Sequence, residues 1–399
     1  MNVAVVCPND YSTVNFCKGI LHEFKRRRDV DEVIVISDVY GENTDGHYSR
    51  ILESWGVRHI PLQINRFMSP RDDLWYLFRL RRLLLQEKVD VVVNISTKPN
   101  IYGTLAAKMA GVSRVLCAVW GRGRGFSDGN QLKVRVLRLG LKTMYRLACT
   151  LSTKVWFTNP NDLDYFLKQG IVARTKTILT KNYVNTSDYA PFVLPDEIRD
   201  RLRRELGLRV GDRMVLMVGR MIWTKGVREF VEAARLLKDR LARVRCVLVG
   251  PEEPGSPDAI PSAYLEQHRE TENFIWIGFR KDVRDLYTLA DLAVLPSYYR
   301  EGGYPRALTE PMAMGKPVIA ADTADCRSPV TPGLNGLLVP ARNAEALANA
   351  IENLMSDDAR RLEFGRNSRD KALNEYDETA IVHEVIEAFC PDGGHVLDS

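Results

Sequence analysis

Short runs of β-branched and apolar residues alternate with amphipathic helical stretches along the chain, and this alternation restricts the fold more than any other feature. The first set of runs is VAVVC (3–7), EVIVIS (32–37), VDVVVNIS (89–96), RVLCAVW (114–120) and KVWFTN (154–159). Runs that are apolar at every position are typical of parallel strands covered on both faces. Helical patterns such as DDLWYLFRLRRLLLQEK (72–88) lie between them, which predicts a doubly wound α/β sheet.

The same alternation starts again after a polar join. NYVNTSDYAPFVLPDE (182–197) has the composition of a linker, and a second set of strand-like runs follows at 214–220, 244–250, 273–279, 292–297 and 316–322. A length of 399 residues also suits two domains rather than one. We predict two facing Rossmann-like domains, 1–185 and 186–375, with an interdomain cleft, and a C-terminal helix and tail, 376–399, that packs back on the first domain.

Composition narrows the class of protein. The start, MNVAVVCP, lacks the residue order of a signal peptide, and no apolar run approaches the roughly 18 residues of a membrane span, so we expect a cytoplasmic protein. Seven cysteines are scattered without a CxxC pair, which favours buried free thiols. The six histidines show no metal-ligand spacing, and we expect neither a metal nor a cofactor.

Charge is divided unequally between the two predicted domains. Residues 1–185 hold 28 Lys and Arg against 16 Asp and Glu, a net +12, whereas the remaining residues hold 28 against 35, a net −7. A basic first domain indicates an anionic partner, such as a phospholipid surface or a phosphorylated acceptor. No basic motif interleaved with aromatic residues supports nucleic acid as that partner.

Ligands of open α/β sheets bind beyond the carboxyl ends of the strands, so the residues that follow each strand are the candidates for chemistry. VGRMIWTKG (218–226) leaves one predicted strand and enters a helix. Gly219 permits a tight turn, while Arg220 and Lys225 offer two cations that could reach one diphosphate. Solvated charges on an ordinary loop are the alternative interpretation.

A second candidate is LPSYYREGGYPRALTEPMAMGKPVIAAD (295–322). Glu301 follows a predicted strand, and Gly302 and Gly303 could present backbone N–H groups to a phosphate. Glu310 would lie about a turn and a half into the next helix, where it could accept hydrogen bonds from hydroxyl groups. A glycine turn between two surface glutamates is the simpler alternative.

Two stretches of the first domain also attract interest. WGRGRGFSDGN (120–130) is a weak match to a dinucleotide fingerprint and is better interpreted as a cleft-lining loop in which Arg122 and Arg124 are available to anions. In the helical stretch 131–151, Arg138, Lys142 and Arg146 recur every four residues beside apolar positions. Such a helix could lie on an anionic membrane or could simply be a packed helix with a solvated basic face.

Together these residues resemble the retaining glycosyltransferases of family 4, which have the GT-B fold, and in particular the bacterial capsule, O-antigen and exopolysaccharide branch. The resemblance spans nearly the whole chain and is most specific at GRMIWTKGVREFVEAARLLK (219–238) and at 278–322, with looser matches at KPNIYGTLAAKMAGV (98–112) and FTNPNDLDYF (157–166).

The resemblance implies a role for each matching position. Arg220 and Lys225 would bind the donor diphosphate, Glu301 would lie against the donor sugar, and Glu310 would hold the ribose of the nucleotide. Further donor contacts are expected from the matching loops: Gly219, Phe279, Arg280, Gly302, Gly303 and Tyr304. Acceptor contacts are expected from the first domain: Asn15, Lys98, Arg122 and Arg124.

The chain departs from the family pattern in two places. The two glutamates bracket eight residues where the family has seven, so the extra glycine is either absorbed in the turn or displaces Glu301, and Pro311 directly follows Glu310. In the first domain, Trp120 and Gly121 stand where many members have a histidine, so no histidine base is assigned.

The resemblance implies transfer of a hexose or N-acetylhexosamine, with retention of configuration, from a nucleotide sugar to a polyprenyl-diphosphate-linked glycan. We expect the nucleotide of the donor to be UDP. We expect a peripheral location on the cytoplasmic membrane face. Two alternatives remain open at this point: a UDP-sugar epimerase of the same fold, and a non-catalytic protein that binds sugar nucleotides.

Overall fold

The computed structural model describes residues 1–39, 46–65, 69–121, 132–271 and 273–391, with the side chains of 132–134 left aside. The chain divides into two compact units. The first comprises Met1–Lys181 and the described residues from Thr379 onward, and the second comprises Asn182–Glu378. The boundary expected from sequence, after residue 185, lies a few residues further along the chain.

The first unit is built on a seven-stranded parallel sheet in the order β3-β2-β1-β4-β5-β6-β7. Its strands are β1 (Asn2–Asn9), β2 (Glu32–Asp38), β3 (Arg58–Pro61), β4 (Val91–Ile95), β5 (Arg114–Val119), β6 (Lys154–Phe157) and β7 (Thr177–Leu179). Its helices are α1 (Asp10–Phe16), α2 (Lys18–Arg26), α3 (His47–Ser54), α4 (Pro70–Gln86), α5 (Thr104–Met109), α6 (Leu132–Leu151) and α7 (Pro160–Lys168). A π-helical turn, Pro99–Gly103, leads directly into α5.

The second unit repeats this plan with a six-stranded parallel sheet in the order β10-β9-β8-β11-β12-β13. Its strands are β8 (Arg213–Val218), β9 (Val244–Val249), β10 (Phe274–Trp276), β11 (Leu292–Leu295), β12 (Val318–Ala321) and β13 (Gly336–Val339). Its helices are α8 (Asp196–Glu205), α9 (Val227–Leu237), α10 (Ser262–Gln267), α11 (Val283–Leu289), α12 (Arg306–Ala313), α13 (Ala324–Arg327), α14 (Ala344–Met355) and α15 (Asp358–Glu375). The last helix, α16 (Glu378–Phe389), starts at the end of this unit and continues in the first.

The two parallel sheets confirm the predicted fold class, and all ten predicted strand runs are strands. The runs identified correctly are buried along nearly their whole length, because helices cover both faces of each sheet. Sequence reasoning missed three short edge strands: β3, β7 and β13. β3, for example, has the sequence RHIP and is nowhere fully buried, so it carries no apolar run that periodicity could detect.

Hydrophobic cores fill both faces of the second sheet, and in the first unit one core lies under α4 and α5 while another surrounds α6 and α7. All seven cysteines belong to the described residues; they are buried and form no disulfide, as the sequence indicated. Within the ranges given above, no helix combines the length and the hydropathy needed to cross a bilayer.

A buried arginine fastens the C-terminal helix to the first unit. The guanidinium of Arg27 donates to the carbonyl oxygen of Cys390 over 2.6 Å and lies 3.1 Å from a carboxylate oxygen of Glu387, at the end of α16. Its remaining nitrogens form a fork with both oxygens of Asp29. One side chain therefore pairs with acceptors at the end of α16 and with a carboxylate in a turn of the first unit.

We expect Arg27→Met to lower the free energy of unfolding by about 1–3 kcal/mol, because the substitution leaves a buried carbonyl and two carboxylates without their shared donor. Urea unfolding would measure this change, and limited proteolysis should release a C-terminal fragment faster than in the wild-type protein. Arg28→Met, at the exposed neighbouring position, is the matched control. Equal proteolysis of the two variants would show that Arg27 does not fasten the helix.

Candidate functional site

The main candidate residues of the second unit lie at the carboxyl ends of two neighbouring strands, whose following connections lead toward opposite edges of the sheet. β8 and β11 pair in parallel, with Leu292 opposite Val215, although β9 and β10 lie between them in the sequence. The connection from β8 leads toward β9 and that from β11 toward β12, and ligands of open α/β sheets bind at the carboxyl ends of strands at such a switch point. Arg220 and Lys225 come from the first loop and Glu301 from the second.

An ion pair between Lys225 and Glu301 joins the two loops. The Lys225 ammonium lies 2.6 Å from Oε2 of Glu301, and the two side chains are only 11% and 6% exposed. The other carboxylate oxygen of Glu301 accepts a hydrogen bond from the hydroxyl of Ser297. Both carboxylate oxygens of Glu301 are thus engaged. Lys225, in the loop after β8, and Ser297, after β11, together fix the orientation of the carboxylate.

Backbone contacts reinforce this junction. The carbonyl oxygen of Thr224 accepts hydrogen bonds from the N–H groups of Tyr298 and Tyr299, each over 2.8 Å. Gly226, with a φ of 82°, follows in the left-handed region, and a Cβ placed there would lie 2.3 Å from the carbonyl oxygen of Pro296. A side chain at this position would push the loops apart, so the close approach requires glycine.

The aromatic ring of Tyr299 lies near both cations. The guanidinium of Arg220 is 5.3 Å and the ammonium of Lys225 is 5.5 Å from the ring centroid, within the range of cation–π attraction. Arg220 also lies 3.6 Å from a carboxylate oxygen of Glu253 and keeps about a third of its side chain exposed. Arg220 is therefore the more accessible of the two cations, whereas Lys225 is largely covered.

The turn that carries the extra residue between the two glutamates has an uncommon backbone conformation. Gly302, Gly303 and Tyr304 all have positive φ, at 78°, 83° and 47°, so three successive residues are left-handed. The N–H of Gly302 donates to a carboxylate oxygen of Asp325 over 3.1 Å. Glu301, directly before this turn, lies beside Lys225, and its expected role at a donor sugar stays a prediction.

Glu310 lies in a more enclosed environment than the sequence suggested. It belongs to α12, with one carboxylate oxygen 3.0 Å from Nε of Arg306 one turn earlier, and the hydroxyl of Tyr189 hydrogen-bonds to it. Burial raises the pKa of Glu310, while the charge of Arg306 and the hydroxyl of Tyr189 act in the opposite direction. Pro311 follows within the second turn of the helix, and α12 continues through it.

The loop after β10 carries two residues that were expected to contact the nucleotide-sugar donor, one exposed and the other bound to carboxylates. Phe279 is 51% exposed and available to a planar ligand. Arg280 instead forms a fork with Asp282, over 2.8 and 2.6 Å, and an ion pair with Glu205 of α8. Hydrogen bonding to Arg280 holds the pKa of Asp282 below its usual value. A ligand would have to compete with these carboxylates for Arg280.

The first unit places its expected acceptor residues as follows. Asn15 is exposed on α1 and donates to the carbonyl oxygen of Tyr11. Lys98 comes shortly after the carboxyl end of β4, and its ammonium lies 2.5 Å from a carboxylate oxygen of Asp73 on α4. Arg122 and Arg124 lie outside the described residues.

Sequence reasoning did not single out Ser297, Tyr299 or Asp325. All three follow the carboxyl ends of β11 or β12, so the strand-end rule that found Glu301 could have found them too. Nothing in the sequence favoured these three as site residues over the residues beside them. In the described part of the chain, no three His, Cys, Asp or Glu side chains are arranged to hold a metal ion, and the expectation that none is needed stays a prediction.

Comparison with protein families assigns both units. Residues 14–182 match the family model described as a glycosyl transferase 4-like domain, and residues 198–371 match the model described as glycosyl transferases group 1.

Individual relatives cover most of the chain. It is 27% identical to the N,N'-diacetylbacillosaminyl-diphospho-undecaprenol alpha-1,3-N-acetylgalactosaminyltransferase of Campylobacter jejuni. The matched region of 379 residues covers 95% of each chain. It is 24% identical over 324 residues to the UDP-Gal:alpha-D-GlcNAc-diphosphoundecaprenol alpha-1,3-galactosyltransferase of Escherichia coli, which covers 81% of each. Among solved structures, HepE from Anabaena in complex with UDP and glucose has the same fold, with a TM-score of 0.75 at 19% identity over 97% of this chain and 99% of that one.

We expect Gly226→Ala to destabilise the second unit and to separate the two loops, because the new methyl group meets Pro296 and the backbone must keep a positive φ. Gly255→Ala is the matched control, since Gly255 has a φ of 83° but no heavy atom within 4 Å of the added Cβ. Thermal unfolding should show a loss of about 1–2 kcal/mol for the control, from backbone strain alone, and a clearly larger loss for Gly226→Ala. Equal losses would show that the contact with Pro296 is unimportant.

Proposed function

Because the chain belongs to the glycosyltransferases, through its 4-like domain over 14–182 and its group 1 domain over 198–371, we propose that it transfers a hexose or N-acetylhexosamine from a UDP-linked donor to a polyprenyl-diphosphate-linked glycan. Transfer proceeds with retention of configuration. The observation that carries this proposal is the junction of Lys225, Glu301 and Arg220 at the carboxyl ends of β8 and β11.

The charges of this junction match the charges that glycosyl transfer creates. Cleavage of a sugar–phosphate bond builds negative charge on the leaving diphosphate and positive charge on the sugar carbon. Lys225 and Arg220 stabilise the first, and Glu301 stabilises the second. Groups that are already held in place need little reorganisation as the charge develops, and such fixed electrostatic contacts are commonly the largest contribution to catalysis.

The ion pair also explains how both charges can exist before the donor arrives. A buried carboxylate or ammonium alone would be costly, but each compensates the other, and Ser297 satisfies the remaining oxygen of Glu301. When the diphosphate approaches Lys225, the ammonium gains a second anion and can share its donors between the two. Glu310 and Phe279 take the ribose and the base in this proposal.

The acceptor class is supported by the relatives. Two of them, from Campylobacter jejuni and Escherichia coli, are described as acting on sugars linked to diphospho-undecaprenol or diphosphoundecaprenol. The first domain of this chain is basic, and α6 carries five Lys and Arg and no Asp or Glu. We therefore place the protein at the cytoplasmic face of the membrane, where its first unit, including Lys98, meets the anionic acceptor.

A donor screen followed by a transfer assay tests the proposal. UDP should raise the unfolding temperature more than GDP or ADP, because the nucleotide that binds the folded protein most tightly stabilises it most. A ligand at a hundred times its Kd adds about 2.7 kcal/mol of stability. With UDP-linked hexoses and N-acetylhexosamines and a polyprenyl-diphosphate-linked sugar in detergent, mass spectrometry should show the acceptor gaining one sugar residue. A preference for GDP or ADP would overturn the choice of donor. Isomerised donor without acceptor would indicate an epimerase, and binding without turnover would indicate a non-catalytic protein.

We expect Glu301→Gln to lower kcat by about a hundredfold or more, because the neutral amide cannot stabilise positive charge on the sugar. Binding of UDP should persist or tighten, since Lys225 loses its competing anion. Isothermal calorimetry and initial rates would measure the two effects separately. Glu252→Gln, at an exposed position nearby, is the control and should retain wild-type rates. Normal turnover in Glu301→Gln would contradict the assigned role.

A further inference from the structure

Helix α4 exposes a row of large apolar side chains. Leu74, Trp75, Phe78 and Leu85 are 53%, 45%, 51% and 45% exposed, although the opposite face of the helix already buries Tyr76, Leu80 and Leu84 in the core. A helix that packs on one side of a sheet normally turns a polar face to water. Large apolar residues grouped on an outer surface indicate an interaction site.

The charges among these residues are mainly positive. Arg71, Arg79 and Arg82 are exposed on the same helix, against the single exposed acid Asp72. The guanidinium of Arg79 lies 4.7 Å from the ring centroid of Trp75, so an aromatic ring and a cation are presented together. We call the exposed set of Leu74, Trp75, Phe78, Leu85 and the three arginines the α4 face.

The α4 face belongs to a broader surface of the first unit. Both α4 and α6 pack against the π-helical turn and α5, so the three helices form one layer over the sheet. Tyr102, in that turn, packs against the core under α4 and also against the core around α6. Val136 and Leu139 of α6 are each more than 60% exposed among its basic residues. Apolar and cationic groups therefore recur across the layer.

We infer that the α4 face docks on an anionic phospholipid bilayer, with its apolar side chains in the headgroup and upper acyl region and its arginines at the phosphates. A bilayer offers an apolar interior and a negative surface side by side, which matches both components of the face. A second copy of the chain fits less well. A twofold contact would bring three arginines against three arginines, with only Asp72 from each copy to compensate.

The position of α4 connects this surface to the acceptor side of the first unit. Asp73, on the buried side of the first turn of α4, holds the ammonium of Lys98 and accepts a hydrogen bond from Tyr102. Lys98 comes just after the carboxyl end of β4, where ligands of such sheets bind. A bilayer in contact with α4 therefore fixes the height of Lys98 above the membrane. The positioning of Lys98 for an acceptor rests on the proposed function, in which the acceptor is lipid-linked. The docking of the α4 face on a bilayer does not depend on that proposal.

The test uses the full-length protein, without substrates, and two kinds of vesicle: phosphatidylcholine alone, and phosphatidylethanolamine with phosphatidylglycerol. We expect co-sedimentation with the anionic vesicles, weakened by salt. The triple variant Leu74→Gln, Trp75→Gln, Phe78→Gln should bind them about a hundredfold more weakly, because three large side chains no longer enter the lipid. Val210→Gln, Leu362→Gln, Leu373→Gln, at exposed apolar positions of the second unit, is the matched triple control.

A second measurement locates the contact. Brominated lipids should quench the fluorescence of the wild-type protein, and the quenched component should disappear in Trp75→Phe. Unchanged circular dichroism and unchanged stabilisation by UDP would show that the triple variant is folded. Vesicle binding equal to the wild type would overturn the inference, as would a wild-type dimer that the triple variant abolishes in the absence of lipid.

Transfer assays separate this inference from the proposed function. If both are right, the triple variant keeps its rate on a short-chain, detergent-free acceptor and loses rate only on acceptor embedded in vesicles. Loss of vesicle binding with no transfer by either protein would refute the proposed function and leave the bilayer contact standing. Equal rates on embedded acceptor, despite lost binding, would refute the role of the α4 face in delivering the acceptor.

Discussion

The junction of Lys225 and Glu301 depends on a constraint of sheet topology. β8 and β11 are neighbours while their following helices lie on opposite sides, so their loops leave the sheet at a switch point, where ligands of such sheets bind. Two contacts hold these loops together: the carbonyl of Thr224, which accepts hydrogen bonds from two N–H groups of the other loop, and the approach of Gly226 to Pro296. Without them, two oppositely charged side chains from distant parts of the sequence would have no fixed relation.

Electrostatics then divides the site into prearranged and adjustable parts. Lys225, Glu301 and Ser297 are almost fully buried and satisfy one another, so they are fixed before any ligand binds. Arg220 is more exposed, and its contacts with the carboxylate of Glu253 and the ring of Tyr299 are looser, so it can move toward an incoming anion. Arg280 and Glu310 are engaged with their own partners, and a ligand can reach them only by exchange. A ligand that binds here would therefore reorganise the periphery of the site more than its centre.

The two units use their outer surfaces differently. The second unit carries an excess of acidic residues and the junction just described, while the first carries the excess of basic residues and a helical layer in which apolar and cationic side chains alternate. The Asp73–Lys98 pair ties that layer to the carboxyl edge of the first sheet. A single helix can thus serve the packing of the core on one face and an interaction on the other.

The sequence by itself determined the parallel sheets, because buried strands require uninterrupted apolar runs. It singled out Arg220, Lys225 and Glu301 as candidates, because ligands bind such sheets at strand ends. It also noted the extra glycine in the turn but could not say where the residue would go. Only the tertiary structure showed that three successive residues of this turn are left-handed and that Asp325 receives the N–H of Gly302. The enclosure of Glu310 and the exposure of Trp75 were equally beyond the sequence, since periodicity tells which residues share a face of a helix but not what covers that face. Burial depends on the packing of segments that lie far apart along the chain, and that packing exists only in the folded protein.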